Sequence, residues 1–285
     1  MLRIVMDSGG DLPPEWIEKY DIDIIPINVH FGEKMYLEDV DMSIDDFYAW
    51  VEESGTIPKS SQPTPQQFIQ LYRQIAEPGD VVLSIHITSK LSGTYNSALL
   101  AAAELKNAPF DVIPFDSLTG ATVEGYMACE ARIMERQGAS VEEIIERLEE
   151  IRDNNEVIFA LDTLTFAQKS GRVRKVQVIA ASLLRVKPII ALNEGMLDII
   201  AKVRTRKTAL EYVIQEVHER IGHQPLNAAV MHAHDVIAAS EFAEKVKKIL
   251  DCKNIFIEEV STGIAANLGP GTLGLVAYPA LGEIF

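Results

Sequence analysis

Cysteine is nearly missing from this chain: Cys129 and Cys252 are the only two in 285 residues. Two isolated thiols far apart in sequence exclude a disulfide framework and fit a reducing compartment. Positive charge is also in deficit, with 26 Lys and Arg against 42 Asp and Glu and a formal net charge of −16. Binding to phosphate backbones or anionic lipid surfaces needs a local excess of Lys and Arg, so neither nucleic acid nor a membrane surface is expected as the main partner. Long apolar runs are lacking as well. The longest, residues 178–192, is broken by Arg185, Lys187 and Pro188 and does not span a bilayer. The first seven residues, Met1 to Asp7, read as a strand and carry no h-region of a secretory signal. These absences predict a soluble cytoplasmic protein with no stable membrane insertion.

What is present is an alternation of strand and helix patterns. Residues 3–6, 22–31, 80–87 and 110–115 read as strands, and residues 43–53, 66–76, 92–106 and 122–137 as helices. Such alternation predicts an α/β fold with a doubly wound parallel sheet, whose ligands bind beyond the carboxyl ends of the strands. Those ends are Asp7-Ser8-Gly9-Gly10-Asp11, residues 88–94 and residues 116–120, all rich in Ser, Thr, Asp and Gly and expected to converge on one crevice. A charged helix over residues 141–154 then runs into Asn154-Asn155, which marks the expected domain boundary: 1–154 and 155–285. Beyond it the pattern predicts strands near residues 157–162, 228–232, 255–259 and 273–277, a short segment at 166–169, and helices near 176–184, 208–221 and 240–250. Asn193-Glu194-Gly195 is a hairpin signal between two further strands. Hairpin plus helices predicts an α+β second domain.

Two hydroxyl-dense stretches carry the functional signal. Lys59-Ser60-Ser61-Gln62-Pro63-Thr64-Pro65 ends in a helix start, with Thr64 as cap, Pro65 at the first helical position and Gln67 placed to reach back. Ser89-Lys90-Leu91-Ser92-Gly93-Thr94 links an apolar strand to the apolar helix beginning near Ala98. Free amides and hydroxyls at helix starts suit an anionic head group. Neither stretch contains a catalytic base. A hydrolase using Ser92 or Ser61 would need one, and His86 is the local candidate. A phosphotransfer subunit that would form a phosphohistidine is a further alternative. His232, His234 and Asp235 lack a third metal ligand, so no metal site is expected. Gly269-Pro270-Gly271 reads as a tight turn, since a strand rather than a helix follows it. Lys169, Arg172, Arg174 and Lys175 form the one dense basic cluster, read either as a solvated helix end or as a contact for an anion, with Arg172 favoured.

In this order these segments resemble the DegV family of bacterial fatty-acid-binding proteins along nearly the whole chain. Asp7-Ser8 with Asp11-Leu12 is similar to its opening motif, Ser60-Ser61-Gln62-Pro63-Thr64 to its Thr-Ser-Gln-Pro-Ser signature, and Leu91-Ser92-Gly93-Thr94-Tyr95 to its Leu-Ser-Gly-Thr-Tyr element. Asp116-Ser117, Ser170-Gly171-Arg172-Val173, Lys187-Pro188 and Gly269-Pro270-Gly271 continue the series. The resemblance implies a long-chain fatty acid buried between two domains, no catalytic residues, and no cofactor. It also implies a partner fatty-acid kinase that phosphorylates the presented carboxylate. Carried onto this chain, Ser60 falls on a carboxylate-binding Thr, Ser92 on the carboxylate-binding Ser, and Arg172 on the Arg of a Gly-Gly-Arg motif. Many members carry His two residues before Gly-Pro-Gly; here the position is Asn267, which can donate a hydrogen bond but holds no charge at neutral pH. Ser60, Ser61, Ser92, Gly93, Thr94, Arg172 and Asn267 are therefore the expected ligand-binding set.

Overall fold

The computed structural model describes residues 1–174 and 186–280; the helix expected at residues 176–184, and Lys175, lie outside them. The N-terminal half runs β1 (Leu2–Asp7), α1 (Pro14–Lys19), β2 (Ile22–Ile25), β3 (Asn28–Phe31), β4 (Lys34–Leu37), α2 (Ile44–Ser54), β5 (Lys59–Ser61), α3 (Pro65–Ile75), β6 (Val81–His86), α4 (Thr94–Glu104), β7 (Asp111–Asp116), α5 (Thr122–Arg136) and α6 (Val141–Asp153). The C-terminal half runs β8 (Glu156–Ala160), α7 (Thr165–Ser170), β9 (Val173–Arg174), β10 (Lys187–Asn193), β11 (Met196–Val203), α8 (Arg206–Ile221), β12 (Leu226–His232), α9 (Val236–Ile249), β13 (Cys252–Glu259), α10 (Thr262–Leu268) and β14 (Leu273–Pro279).

β2, β1, β6 and β7 form a wholly parallel sheet in that order. Strand residues alternate between its faces, and both faces are covered. Ile4, Met6, Leu83 and Ile85 pack with Val123 and Met127 of α5. Val5 and Val82 pack on the other side with Phe68 and Tyr72 of α3 and Ala98 and Ala101 of α4. The cap expected at Thr64 is present in full: Gln67 N donates to Thr64 Oγ1 and Thr64 N donates to Gln67 Oε1.

The C-terminal half builds a mixed sheet in the order β13-β12-β14-β8-β10-β11-β9. One face holds Ile158, Val230 and Leu275 against Val213 of α8 and Phe242 of α9. The other turns Phe159, Met231, Val276 and Tyr278 toward α5. α5 is thus enclosed by both sheets, and every residue from Thr122 to Arg132 is buried. One apolar cluster draws on both sides of Asn154, with Ile4 and Leu83 from one half and Phe159 and Met231 from the other. The expected hairpin is β10–β11, and its Glu194 and Gly195 both have positive φ, 48° and 78°, as a two-residue primed turn requires.

One expectation is corrected. Residues 22–31 are two strands in two sheets, because Pro26 has no N–H for the ladder and Ile27 N donates to Ser8 Oγ instead. β3 leaves the parallel sheet and sits at the centre of a small antiparallel sheet, β4-β3-β5. β4 and β5 carry no strand signal: Lys34 and Met35 are exposed, and β5 is Lys-Ser-Ser.

A pH dependence follows from Glu258 on β13. Burial raises its carboxyl from the ordinary 4.5 to about 7. The folded protein keeps this proton up to about pH 7, whereas the unfolded chain releases it near 4.5. Its contribution is therefore fully present below the unfolded value and lost as pH rises through the folded one. Glu258→Gln should leave stability at pH 4 unchanged and raise it at pH 8 by about 2 kcal/mol, read from urea unfolding.

Candidate ligand site between the two sheets

A cavity of about 330 Å³ lies where the carboxyl ends of β6 and β7 meet the C-terminal sheet. This is within the range of small-molecule sites, roughly 300–1,000 Å³. Its apolar wall comes from distant segments: Ile27, Ile87 and Leu91 from the first half, Phe159 and Leu192 from the second sheet, and Ile264 from α10. Against that wall stand Ser60, Ser61, Ser92, Gly93, Arg172 and Asn267. Six of the seven residues expected from the sequence therefore line one cavity. They are brought there by β5, by the β6–α4 loop, by the end of α7 and by α10.

Thr94, the seventh, does not line it. Its side chain is fully buried, and it supports Ser92: Oγ1 lies 2.8 Å from Ser92 Oγ, and the Thr94 N–H donates to the same oxygen at 3.3 Å. Asn267 Nδ2 donates to Ser60 Oγ at 3.4 Å and to Gly263 O at 2.6 Å, so the amide is oriented by its own helix. A Cβ at Gly93 would stand 2.9 Å from the end of the exposed Gln62 side chain, which would have to swing aside. Arg172 is half-buried and donates to Ser170 O at 2.8 Å, with no carboxylate partner among the described residues. Arg174 instead pairs with Asp198, and Lys169 is exposed, so within the described part of the basic cluster Arg172 alone reaches the cavity. The sequence reading passed over Lys90, an exposed cavity residue whose Nζ donates to Glu194 O at 2.8 Å across to the hairpin.

The three strand ends do not all converge. Residues 89–93 and 119–121 line the cavity, but Asp7 to Asp11 is buried behind it. There Asp7 Oδ2 accepts from Ile87 N at 3.0 Å and lies 3.2 Å from His86 Nδ1, while His86 Nε2 lies 2.7 Å from Ser84 Oγ. Tyr72 Oη caps Ser84 Oγ at 2.7 Å. These are the bonds of an acid–histidine–serine relay, but Asp7, Ser84 and His86 are fully sealed from solvent. His86 is thus engaged away from Ser92 and Ser61 and cannot serve as the base for either. Glu124 lies beside Asp7 and His86, with ligating atoms of the three within 4.8 Å of one another. Burial first, then the charge of Asp7, raises the Glu124 carboxyl well above its ordinary value.

α10 owes its position to two distant carboxylates. Glu38 accepts from Ser8 Oγ, Thr262 Oγ1 and Gly263 N, and Asp11 Oδ1 accepts from Ser261 N. Gly269 closes the helix at φ 83°, where a Cβ would strike Phe166 at 2.6 Å, and β14 follows. His234 stacks on Tyr48 with ring centroids 4.5 Å apart, and His232 is buried at the end of β12.

The fold and the cavity define an α/β protein of two large sheets and one small one, with a cavity that sets an apolar wall against a cluster of hydroxyl and amide groups and nearby cations. The chain belongs to the DegV family, whose model, described as "Uncharacterised protein, DegV family", matches residues 1–280. Protein DegV of Bacillus subtilis is 32% identical over 276 residues, 96% of this chain and 98% of that protein. Among solved structures, a DegV family protein from Thermus thermophilus, determined for its fatty acid binding, matches with a TM-score of 0.90 at 30% identity over 98% of this chain and 99% of that one. DegV of B. subtilis, a fatty acid binding protein, matches at 0.89 with 31% identity over 98% and 99%. A stearic acid-binding protein from Eubacterium ventriosum matches at 0.88 with 28% identity over 98% of each chain. Among the described residues no helix is long and apolar enough to cross a membrane.

Proposed function

We propose that this protein binds a long-chain fatty acid in the cavity and presents its carboxylate to a partner fatty-acid kinase, which forms the acyl phosphate. The observation that carries the binding half is the joining of an apolar wall and a hydroxyl–amide cluster in one cavity. Burial of a long acyl chain contributes about 0.8 kcal/mol per CH₂, on the order of 10 kcal/mol before the costs of association. That gain survives only if the desolvated carboxylate keeps its hydrogen bonds. Ser60 and Ser92 supply hydroxyl donors, held from behind by Asn267 and Thr94, and Lys90 and Arg172 supply positive charge. The kinase half rests on family membership: the carrier shields the chain while the phosphoryl group is added in trans, and no residue of this protein needs to act as acid, base or nucleophile.

Native mass spectrometry of the purified protein, with organic extraction, tests the reading. A stoichiometric fatty acid is expected, and Ser92→Ala should weaken its binding about tenfold without loss of fold. Hydroxylamine trapping of an acyl phosphate after incubation with ATP and a fatty-acid kinase tests the second half. A protein that arrives empty and takes up no added fatty acid would refute the carrier reading.

A further inference from the structure

Three serines of the cavity each have one polar residue behind them. Ser60 accepts from Asn267 Nδ2 at 3.4 Å, Ser92 accepts from Thr94 N at 3.3 Å, and Ser61 Oγ lies 2.8 Å from His30 Nε2. The first two backing atoms are N–H groups that can only donate, although Ser92 also has the Thr94 hydroxyl, which can do either, at 2.8 Å. A neutral imidazole nitrogen donates or accepts according to which ring nitrogen carries the proton. His30 is therefore a backing residue that can reverse the polarity of the hydroxyl it holds.

The backbone around Ser61 leaves little else free to vary. Asn28 on β3 stands directly across from Ser61 on β5, and His30 stands across from Lys59. Asn28 Nδ2 donates to Gln62 O at 3.0 Å, Gln67 Nε2 donates to Asn28 Oδ1 at 3.4 Å, and Gln67 Oε1 in turn holds Thr64 N at 2.8 Å. With β5 and its following turn pinned in this way, the main remaining freedom at Ser61 is rotation of its hydroxyl.

We propose that His30 is a positioning residue that sets the head-group preference of the cavity through Ser61. This rests on the reading of the cavity as an acyl site. With the proton on Nε2, His30 donates to Ser61 Oγ, and the single Ser61 hydrogen turns away from β3 as a donor for a carboxylate. With the proton on Nδ1, Ser61 donates to the ring and offers only lone pairs to the ligand. That second state suits an alcohol head and repels a carboxylate. Bound fatty acid therefore selects the Nε2–H form; an ester accepts from the same Ser61 hydrogen but more weakly because it is uncharged, and an alcohol can use either form, so the donor held by the ring favours the acid. Chain burial is the same for all three ligands, so the preference is separable from overall affinity.

The test compares oleic acid, methyl oleate and oleyl alcohol as ligands of the wild type, His30→Ala and His30→Gln. His30→Ala should weaken oleic acid about tenfold while methyl oleate stays within about twofold, so that the acid-to-ester ratio collapses. His30→Gln, whose side-chain amide can donate to Ser61, should restore that ratio. Ser61→Ala should reproduce the His30→Ala pattern, and the double variant should lose no more than either alone; should His30→Ala not fold, Ser61→Ala carries the comparison. An unchanged acid-to-ester ratio in His30→Ala, or an equal loss for acid and ester, overturns the inference. A wild type that takes up neither acid nor ester overturns the carrier reading itself, which is a distinct outcome.

Discussion

Glu38→Ala is expected to lower the free energy of unfolding by about 3–5 kcal/mol, measured by urea denaturation. Glu38 is 1% exposed, and its carboxylate is the shared acceptor for Ser8 Oγ, Thr262 Oγ1 and Gly263 N. Truncation leaves these three donors buried without a partner, and each unsatisfied group costs about 1–3 kcal/mol. Burial raises the Glu38 carboxyl above its ordinary value, while the three hydrogen bonds pull it back down. Its proton is therefore taken up more readily in the folded protein, and the same linkage as at Glu258 applies: this contribution weakens as pH rises through the raised value. The loss should also reach the ligand, because two of the three donors are the first residues of α10, the helix that carries Asn267 and Ile264 into the cavity. Fatty-acid affinity should fall with stability in Glu38→Ala. A variant that loses stability but binds as tightly as wild type would show that α10 is held by its packing alone.

Arg132→Ala should cost a similar 3–5 kcal/mol, with no direct effect on the cavity. Arg132 is 3% exposed near the end of the enclosed helix α5. Its Nε donates to Tyr20 O at 2.9 Å, Nη1 to Leu2 O at 3.0 Å and Nη2 to Asp21 O at 2.9 Å. One planar fork thus satisfies carbonyls at the start of β1 and in the turn between α1 and β2. Lysine keeps the charge but cannot place three donors in those directions, so Arg132→Lys should recover less than half of the loss. A loss below about 1 kcal/mol for Arg132→Ala would mean that water reaches these carbonyls once the side chain is gone. Ligand binding measured well below the melting transition should be unchanged, which separates this variant from Glu38→Ala.

The two cases differ in how far they could be read in advance. The helix that bears Arg132 was legible because its apolar spacing is a local pattern. Its complete enclosure was not, since α5 is covered by two sheets formed from residues on both sides of it. Glu38 gave no signal at all: the acidic pair Glu38-Asp39 reads as solvated until β3 leaves the first sheet and carries the chain over α10. His30 was missed for the same reason, because its partner Ser61 is 31 residues away on a strand of three polar residues. Thr94 was selected by its place in a motif, and the structure turns it behind Ser92 rather than toward the cavity.

By itself the sequence determined what is written in short-range periodicity and local chemistry. The parallel strands, the helices between them, the Thr64–Gln67 cap, the Glu194-Gly195 turn and the hydroxyl-rich loops all follow from residues a few positions apart. The motif series was enough to place the chain in its family. Only the tertiary structure decided that Ser60, Ser92, Arg172 and Asn267 share one cavity, that His86 is sealed away from it, and that Glu38 and Asp11 hold α10. Those facts depend on how two sheets pack around α5, and contacts between residues tens to hundreds of positions apart leave no mark in local pattern.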